Sequence, residues 1–351
     1  MNIIDRYKRL RSEAYLKETY EGAYAFVGMG QHSLSNLYPV IHYLQIPLKY
    51  ICVTSEDKAV LIGKKFRGVI GTTDLDAVLA DPEIKGVFVA ASPKAHFAIA
   101  KKVLRSGKAL FVEKPPCGTA AELEELIALS AEPGAQGNAS KTIAVAGLQK
   151  RYAPAVRMLK KKLSKEKLLS YDMHYCTGAY PEGDAVTDLY IHPLDLVCHL
   201  FGKAEILSCQ PAGKDSYILS LKHKELSGTL ELSTQYSWTD ARETLSVNTA
   251  TGLYELDRCE RLTLALKPAV VAGLPLEKLG LGKSGTKVLF AQNSFSPVLK
   301  QNQVYTQGFF DEIRSFAERT QGRKAAALSE LSELRDTYSL ITSLSQDQGL
   351  R

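Results

Sequence analysis

Short apolar runs alternate with helical patterns over residues 23–146, and this alternation constrains the fold more than any other feature of the sequence. Six of these runs have the length of buried strands, and a Gly/Ala/Asn-rich loop over residues 133–140 precedes the sixth. Strands that alternate with helices pair in parallel, because each crossover returns the chain to the same end of the sheet. The sequence therefore predicts an α/β fold with an N-terminal, doubly wound parallel sheet.

The pattern changes after Pro154, where strand-like runs dominate from residue 168 to residue 266. Residues 274–298 show no regular pattern, and two helical patterns, 307–319 and 325–344, close the chain. Successive strands with few helices between them favour an antiparallel or mixed sheet. We therefore expect two domains: residues 1–150, a helical extension and the parallel sheet, and residues 151–351, an α+β domain with a mostly antiparallel open sheet and C-terminal helices.

Composition excludes several classes of protein. A length of 351 residues suggests two domains, and no run approaches the ~18 apolar residues of a membrane span. The N-terminus lacks the features of a signal peptide, and none of the six cysteines forms a C-x-x-C pair, so we expect a cytoplasmic protein without zinc or disulfides. The net charge is +6, but the densest basic run, residues 157–167, lacks interleaved aromatics, which argues against nucleic-acid binding.

A glycine turn follows the first apolar run, Ala23–Val27, and precedes a helical pattern over residues 33–44. It reads Gly28-Met29-Gly30-Gln31-His32-Ser33, with serine where a dinucleotide fingerprint has its third glycine. Glycines permit a tight turn and close approach of backbone to phosphate, and a helix N-terminus favours negative charge. A G-x-G pair also occurs in ordinary turns, but its place between strand and helix favours dinucleotide binding.

The end of the second apolar run bears on the choice of cofactor. An acidic residue there usually binds the ribose hydroxyls of NAD, and Ser55 occupies that position. Thr54, Ser55 and Lys58 could bind the 2′-phosphate of NADP, whereas a shift of one residue would place Glu56 or Asp57 on the ribose. The sequence thus favours NADP slightly over NAD.

Two further stretches carry chemistry. Glu113-Lys114-Pro115-Pro116 ends the buried run Ala109–Val112, where open α/β sheets bind their ligands; alternatively, Lys114 is a solvated lysine paired with Glu113. Asp188, His192 and Asp195 follow at spacings that share one helix face. That cluster fits a catalytic histidine or a hydrogen-bonded structural one, and it offers too few ligands for a metal.

The chain resembles the Gfo/Idh/MocA family of NAD(P)-dependent oxidoreductases. The resemblance rests on motifs that occur in the family's order, namely Gly28-x-Gly30, Ser92-Pro93-x-x-His96, Glu113-Lys114-Pro115, Gln149-Lys150-Arg151-Tyr152-x-Pro154 and Asp188-x-x-x-His192-x-x-Asp195. It extends from about residue 24 to the C-terminal helices. It implies an N-terminal Rossmann domain that binds NAD(P), and a sugar- or polyol-like substrate held between the domains.

The resemblance also implies roles for individual residues. The cofactor-binding set would be Gly28, Gly30, Gln31, His32, Ser55, Ser92, Pro93, His96, Glu113 and Lys114. Lys114 and His192 would be the catalytic pair, and Asp188 would help to orient the site. The substrate-binding set would be Lys114, Arg151, Tyr175, Tyr180 and His192. Tyr190 departs from the family, which often has glycine there, and a bulky side chain would narrow or reshape the pocket.

These features together predict an enzyme that transfers a hydride between NAD(P) and an alcohol or carbonyl. Two alternatives stay open: an NAD-dependent glycosidase-type enzyme without net redox change, and a catalytically silent NAD(P)-binding sensor. We also expect a homodimer or homotetramer, because a sheet with helices on one side leaves a second, apolar face to be covered.

Overall fold

The computed structural model describes residues 2–132, 141–281, 285–295 and 298–349. The loop predicted over residues 133–140 lies outside these ranges. The chain divides into two compact units: residues 1–147 and 310–331 form the first unit, and residues 148–309 and 332–351 form the second. The sequence-based division at residue 150 assigns everything beyond it to one domain, whereas residues 310–331 lie with the first unit.

The strands are β1 (Ala23–Val27), β2 (Leu48–Cys52), β3 (Ile70–Thr72), β4 (Ile84–Val89), β5 (Ala109–Glu113), β6 (Ala144–Gly147), β7 (Leu168–Cys176), β8 (Glu205–Pro211), β9 (Tyr217–Lys222), β10 (Ser227–Ser233), β11 (Arg242–Thr249), β12 (Gly252–Asp257), β13 (Arg261–Leu266), β14 (Val270–Val271), β15 (Leu274–Pro275) and β16 (Thr286–Ala291). The α-helices are α1 (Ile3–Lys17), α2 (Tyr38–Tyr43), α3 (Glu56–Lys65), α4 (Leu75–Ala80), α5 (Pro93–Arg105), α6 (Ala120–Ala131), α7 (Pro154–Leu163), α8 (Ile191–Phe201), α9 (Gln303–Thr306), α10 (Phe309–Thr320) and α11 (Arg335–Gly349).

The sheet of the first unit is parallel and has the strand order β3-β2-β1-β4-β5-β6. The order reverses between β1 and β4, and in doubly wound sheets such a switch point is where ligands bind. All five residues of β5 are buried, as expected for a strand covered on both faces. The predicted Rossmann-type parallel sheet is confirmed.

Aromatic packing joins the end of the chain to this sheet. Phe316 of α10 lies edge-on to Phe88 of β4 and Phe111 of β5, with ring centroids 5.1 and 5.8 Å apart. Further along, the amide of Ala146 donates to the carbonyl of Ser329 at 2.9 Å, which extends the edge of the sheet beyond β6. Residues 310–331 therefore supply part of the core and part of the backbone pairing of the first unit.

The sheet of the second unit has the order β16-β13-β12-β11-β7-β10-β9-β8. Only the neighbours β7 and β10 pair in parallel among the strands described in this sheet, so the predicted, mostly antiparallel sheet is confirmed. Burial alternates along its strands: Leu230 and Leu232 are buried, whereas Thr229 and Glu231 between and beside them are more exposed. Helix α7 packs on β12 and β13, and α11 packs on α8 and β8.

The other face of this sheet is mostly polar, so the expectation of a second apolar face was wrong. His174 lies at the centre of that face, with Nε2 2.6 Å from Asp172 and Nδ1 2.7 Å from Glu231. Although partial burial disfavours its charge, these two carboxylates raise the pKa of His174. Neighbouring strands add Ser220, Thr244, Ser246, Glu255 and Thr263 to the same face.

Two local predictions were also wrong. The stretch 274–298 contains β16, which pairs antiparallel with β13. The final helix begins at Arg335 rather than near residue 325, after a 3₁₀ turn over Leu331–Leu334. The alanine-rich residues before that turn favour a helix intrinsically, but Glu330 forms a bridge with Val145 of β6. Tertiary pairing with the first sheet therefore overrides local propensity.

Within the described ranges, every helix is too short or too polar to cross a membrane.

Candidate functional site

The glycine turn after β1 lies at the switch point of the first sheet. Gly28 has φ +88°, and a Cβ atom there would lie 2.5 Å from the carbonyl oxygen of Ala90, just beyond β4. Only glycine fits this backbone, for conformational and for steric reasons. A Cβ on Gly30, in contrast, would meet no described atom within 4 Å, so this part of the turn faces open space. The turn thus offers backbone at the sheet edge without a side chain in front of it.

The segment after the turn is not the single helix predicted over residues 33–44. A π-helical turn, Ser33–Leu37, precedes α2. Gln31 donates to the hydroxyl of Ser35 at 3.0 Å, and Asn36 Nδ2 lies 3.1 Å from Nδ1 of His32. Both predicted cofactor ligands are therefore oriented by side chains of this turn, because each contacts the residue four positions later.

Glu113, the last residue of β5, is a buried carboxylate. Its Oε2 accepts the amide of Lys114 at 3.1 Å, and a Cβ atom on Gly147 of β6 would lie 2.9 Å from its Cδ. Its Oε1 has no hydrogen-bond partner among the described residues, and Nε2 of His32 is 3.3 Å away. A buried carboxylate oxygen without a hydrogen bond marks a place where a donor from a ligand would lower the free energy.

His96 is buried beneath the turn that carries Lys114. Its Nδ1 lies 2.8 Å from the carbonyl oxygen of Pro115, and its Nε2 lies 3.0 Å from that of Ala91. The imidazole therefore ties the end of β5 to the end of β4. Lys114 itself is half-buried, and the peptide bond between it and Pro115 is cis. Sequence reasoning assigned His96 to the cofactor; in this structure both ring nitrogens contact backbone carbonyl oxygens.

The other predicted cofactor residues of the first unit begin helices. Ser92 is the exposed N-cap residue of α5, and Pro93 is the first residue of that helix, where its fixed φ is favourable. Ser55 is the N-cap residue of α3, and its hydroxyl accepts the amide of Lys58 at 3.4 Å. The neighbouring Glu56 accepts a short hydrogen bond from the hydroxyl of Thr73, which holds that carboxylate toward the segment after β3.

In the second unit, Asp188 and His192 lie on either side of a change in helix type. Asp188 belongs to a π-helical turn, Ala185–Leu189, and His192 is the second residue of α8. Asp184 begins the turn by accepting the amide of Thr187 at 3.1 Å. Asp188 is buried, and His192 is half-buried. The predicted face of one continuous α-helix is thus replaced by a π-turn and a helix N-terminus.

Arg151 and Asp195 form an internal ion pair. Two guanidinium nitrogens of Arg151 lie 2.9 and 2.6 Å from the two carboxylate oxygens, and each side chain is only 3% exposed. Thr337 donates to Asp195 at 3.0 Å, and Glu333 accepts from Arg151 at 3.1 Å. Although burial disfavours the charge, Asp195 and Glu333 raise the pKa of Arg151 further. Sequence reasoning assigned Arg151 to the substrate pocket, whereas these contacts place its guanidinium inside the second unit.

Two tyrosines of the predicted pocket region also lie inside the second unit. Tyr175 is buried, its ring centre is 5.4 Å from Nζ of Lys150, and burial raises its pKa to about 12 against the opposing effect of that ammonium. Tyr190 is fully buried, lies edge-on to Tyr175 and donates a short hydrogen bond to the carbonyl of Asp215. The departure at Tyr190 therefore adds aromatic packing inside the unit.

Tyr180, in contrast, lies at the surface beside a residue that sequence reasoning missed. Trp238 is 53% exposed, and its ring centroid is 6.5 Å from that of Tyr180. Trp238 is the sole tryptophan of the chain, and it follows β10 of the second sheet. These two features are the signal that could have identified it.

Each unit thus presents one group of chemically active residues. In the first unit, a glycine turn, a buried carboxylate and a lysine meet at the carboxyl edge of the sheet. That group can bind a ligand with phosphate and hydroxyl groups. In the second unit, a carboxylate and an imidazole lie at the start of α8. That group can accept or donate a proton. The described residues contain no cluster of three or more His, Cys, Asp and Glu side chains that could hold a metal ion.

Residues 23–138 match the family model described as the NAD-binding Rossmann fold of the oxidoreductase family GFO_IDH_MocA. An uncharacterized oxidoreductase of Escherichia coli strain K12, YhhX, is 32% identical over 146 residues, which are 38% of this chain and 40% of the relative. The chain thus spans less than half the length of the curated relatives that it matches.

Solved structures match the fold over most of the chain. A dehydrogenase from Chromobacterium violaceum superposes with a TM-score of 0.76 and 19% identity, over 95% of this chain and 98% of that one. KijD10, a 3-ketoreductase from Actinomadura kijaniata in complex with NADP, gives a TM-score of 0.69 and 15% identity, over 92% and 96% of the two chains.

Proposed function

We propose that this chain transfers a hydride between NAD(P) and a sugar- or polyol-like alcohol or carbonyl, because residues 23–138 match the NAD-binding Rossmann fold of the Gfo/Idh/MocA oxidoreductase family. One observation carries this proposal. Three features meet at the carboxyl ends of the strands of the first sheet: the glycine turn, the buried Oε1 of Glu113, and Lys114. KijD10, which shares this fold and is a 3-ketoreductase in complex with NADP, supports the reaction class.

The residues of the first unit fit a nicotinamide dinucleotide. Gly28 and Gly30 let backbone approach a pyrophosphate, and Oε1 of Glu113 can accept a hydrogen bond from a ribose hydroxyl. When bound, the cofactor supplies the hydride donor or acceptor. We lean slightly to NADP, because Thr54, Ser55 and Lys58 follow β2 while Glu56 is held by Thr73. An engaged carboxylate at this turn is less available for the ribose of NAD.

The catalytic pair in this proposal is Lys114 and His192, with Asp188 orienting the site. Lys114 donates a hydrogen bond to the reacting oxygen of the substrate and stabilises the negative charge that develops there. His192 takes the hydroxyl proton during oxidation and returns it during reduction. Asp188, four residues before His192, is the residue that orients the site in this proposal. In this proposal His192 transfers the proton, and Lys114 stabilises the charge on the oxygen.

The test is absorbance of the reduced cofactor during incubation with a panel of sugars, polyols and their keto forms. We expect turnover with at least one member of the panel. Lys114→Met and His192→Ala should each lower turnover by at least ~100-fold. The exposed residues Lys161 and His42 provide matched controls, Lys161→Met and His42→Ala, that should change little. Near-normal turnover in both catalytic variants would overturn the assignment.

We also propose a cytoplasmic homodimer or homotetramer that binds neither nucleic acid nor membrane. All six cysteines are free thiols, which supports a reducing compartment. The polar outer face of the second sheet is the proposed contact surface, and its charged residues could pair across a two-fold axis. A monomer in sedimentation analysis at micromolar concentration would contradict the proposed assembly.

A further inference from the structure

The parallel pair β7 and β10 brings two loops of the second unit side by side. Because the two strands run in the same direction, the segments that follow them, residues 177–184 and 234–241, leave the sheet at one edge. Backbone hydrogen bonds continue past the strand ends: Thr177 donates to Ser233, and Tyr236 donates to Thr177, each at 2.8 Å. The two loops therefore start from a shared, fixed backbone.

Trp238, in the second of these loops, is exposed and yet held in place. Its indole nitrogen donates to the carbonyl of Ala179 at 2.7 Å. The ring lies so close to the backbone of Gly178 that a Cβ atom there would overlap Cδ1 of the indole. An exposed tryptophan with a single fixed orientation can stack on a ligand at a low cost in side-chain entropy. Tyr180 adjoins it at an interplanar angle of 53°.

Carboxylates surround the Tyr180 end of this aromatic pair. A Cβ atom on Gly183 would overlap Oδ2 of Asp188 and would lie 3.5 Å from Cε1 of Tyr180, so the carboxylate and the ring share one small space. Partial burial, and then the negative charges of Asp188, Glu182 and Asp184, raise the pKa of Tyr180. Negative charge here would repel a phosphate, whereas carboxylate oxygens accept hydrogen bonds from hydroxyl groups.

We propose that Trp238 and Tyr180 form a binding subsite for a neutral carbohydrate ring. One face of the ring stacks on the indole, and its hydroxyl groups donate to Asp188 and the neighbouring acids. This inference rests on the proposed function, because it names the substrate class of the same enzyme and connects the aromatic pair to Asp188, four residues before His192.

Neighbouring Tyr236 provides an internal contrast. It is 47% exposed, but Arg242 lies over its ring at 5.3 Å and Asp240 accepts a short hydrogen bond from its hydroxyl. One face of this tyrosine is therefore occupied by a guanidinium. We expect it to contribute little to carbohydrate binding, and so Tyr236→Ala is a matched control in the same loop.

Binding can be measured directly, because Trp238 is the only tryptophan and the sole source of tryptophan fluorescence. The full-length protein is titrated with methyl glucoside, methyl galactoside, glucose 6-phosphate, glucosamine and TDP. We expect a saturable fluorescence change with at least one methyl glycoside and a weaker one with the phosphorylated probes. Tighter binding of TDP would indicate a nucleotide base, and tighter binding of glucosamine would indicate a cation site; either result overturns the inference.

Two variants test the subsite by calorimetry and kinetics. Gly178→Ala keeps the tryptophan but pushes its ring out of position, and Trp238→Leu removes the ring. Each variant should weaken binding of the glycoside about tenfold, whereas Tyr236→Ala should not. Where a substrate is known, Trp238→Leu should raise KM and leave kcat near its original value. Unchanged KM and affinity in both variants, with normal circular dichroism, would overturn the subsite while leaving the hydride transfer intact. Glycoside binding without cofactor-dependent turnover would instead refute the proposed function alone.

Discussion

The two sheets bury their strands in different ways. In the first unit, β5 and β6 are buried at every residue, so the sheet interior has no room for functional groups except where strands end. In the second unit, burial alternates along β9 and β10, and the outer face carries mostly polar side chains. A sheet covered on both faces thus restricts chemistry to its edge, whereas a half-covered sheet admits polar residues along its length.

The units also accommodate buried cations differently. In the first, the ammonium of Lys108 donates to the backbone carbonyls of Asp81 and Ile84 at 2.7 and 2.9 Å, and burial lowers its pKa. In the second, Arg151 pairs with the carboxylates of Asp195 and Glu333. The carbonyl partners of Lys108 are neutral, so the buried charge of the ammonium is not balanced by an opposite charge. Removal of Lys108 would, however, leave no unpaired buried ion behind. The second unit should therefore be the more sensitive to loss of one charged partner.

The largest expected effect tests the doubly covered core. Phe88 contacts four aromatic rings, those of Tyr24, Phe26, Phe111 and Phe316. Phe88→Ala should lower the free energy of unfolding by about 4 kcal/mol, because it removes a large side chain from a region that cannot collapse freely. Urea denaturation measures the loss. Ser246→Ala, on the polar face of the second sheet, is the control and should change stability by less than about 0.5 kcal/mol.

Breaking the ion pair of the second unit should have the next largest effect. Arg151→Met leaves Asp195 buried beside a single hydroxyl, and we expect a loss of about 3 kcal/mol. The double variant Arg151→Met, Asp195→Leu removes both charges and should be more stable than the single variant. If the two changes simply added, the internal charge of Asp195 would not be the source of the loss.

Acid should destabilise the second unit through His199. Burial, aided by the positive charges of Arg151 and Lys160, lowers the pKa of His199 to about 3. An unfolded histidine titrates near 6.5, so between these values the unfolded chain binds more protons than the folded one. The contribution of neutral His199 to the free energy of unfolding should be fully present above pH 6.5. Below pH 6 the free energy of unfolding should fall by about 1.4 kcal/mol per pH unit. Denaturation at a series of pH values, compared with His199→Gln, measures this slope, and an unchanged slope in the variant would contradict the assignment.

The smallest effect concerns binding at the edge of the first sheet. Ser55→Asp places a carboxylate at the end of β2 and should weaken NADPH about tenfold, or 1.4 kcal/mol, while NADH changes less. Stability should stay nearly constant, because Ser55 is exposed and aspartate also caps helices well. Fluorescence titration of both reduced cofactors checks the result. Equal losses for the two would show that Ser55 does not face the ribose.

The sequence predicted the parts of the molecule that are encoded locally. The six apolar runs carry their own hydrophobic pattern, so the first sheet was predicted correctly, and the backbone conformation of Gly28 is the one that the predicted turn requires. Glu113 and Lys114 were selected because they end such a run, and their roles stay predictions. Contacts between distant residues were not predictable in this way. Nothing near Arg151 in the sequence identifies Asp195 or Glu333 as its partners, and Tyr190 acquires its packing only when Asp215 is brought next to it.

The prediction of secondary structure failed where strand pairing with a distant segment competes with local helix propensity. Residues before Leu331 favour a helix by composition, but Glu330 pairs with Val145, almost two hundred positions earlier. Trp238 was missed for a related reason, since only the parallel pairing of β7 and β10 brings its loop beside Gly178. The local sequence marks Trp238 as a tryptophan that follows a strand, but it does not show which distant residues will lie beside it.

The return of residues 310–331 to the first unit has a consequence for synthesis of the chain on the ribosome. The N-terminal strands emerge early, but Phe316, which packs on Phe88 and Phe111, is translated only after the whole eight-stranded sheet. During that interval one apolar surface of the nascent first unit stays exposed to solvent and to chaperones. The order of translation thus makes completion of the first unit one of the last events in folding, although its sequence comes first.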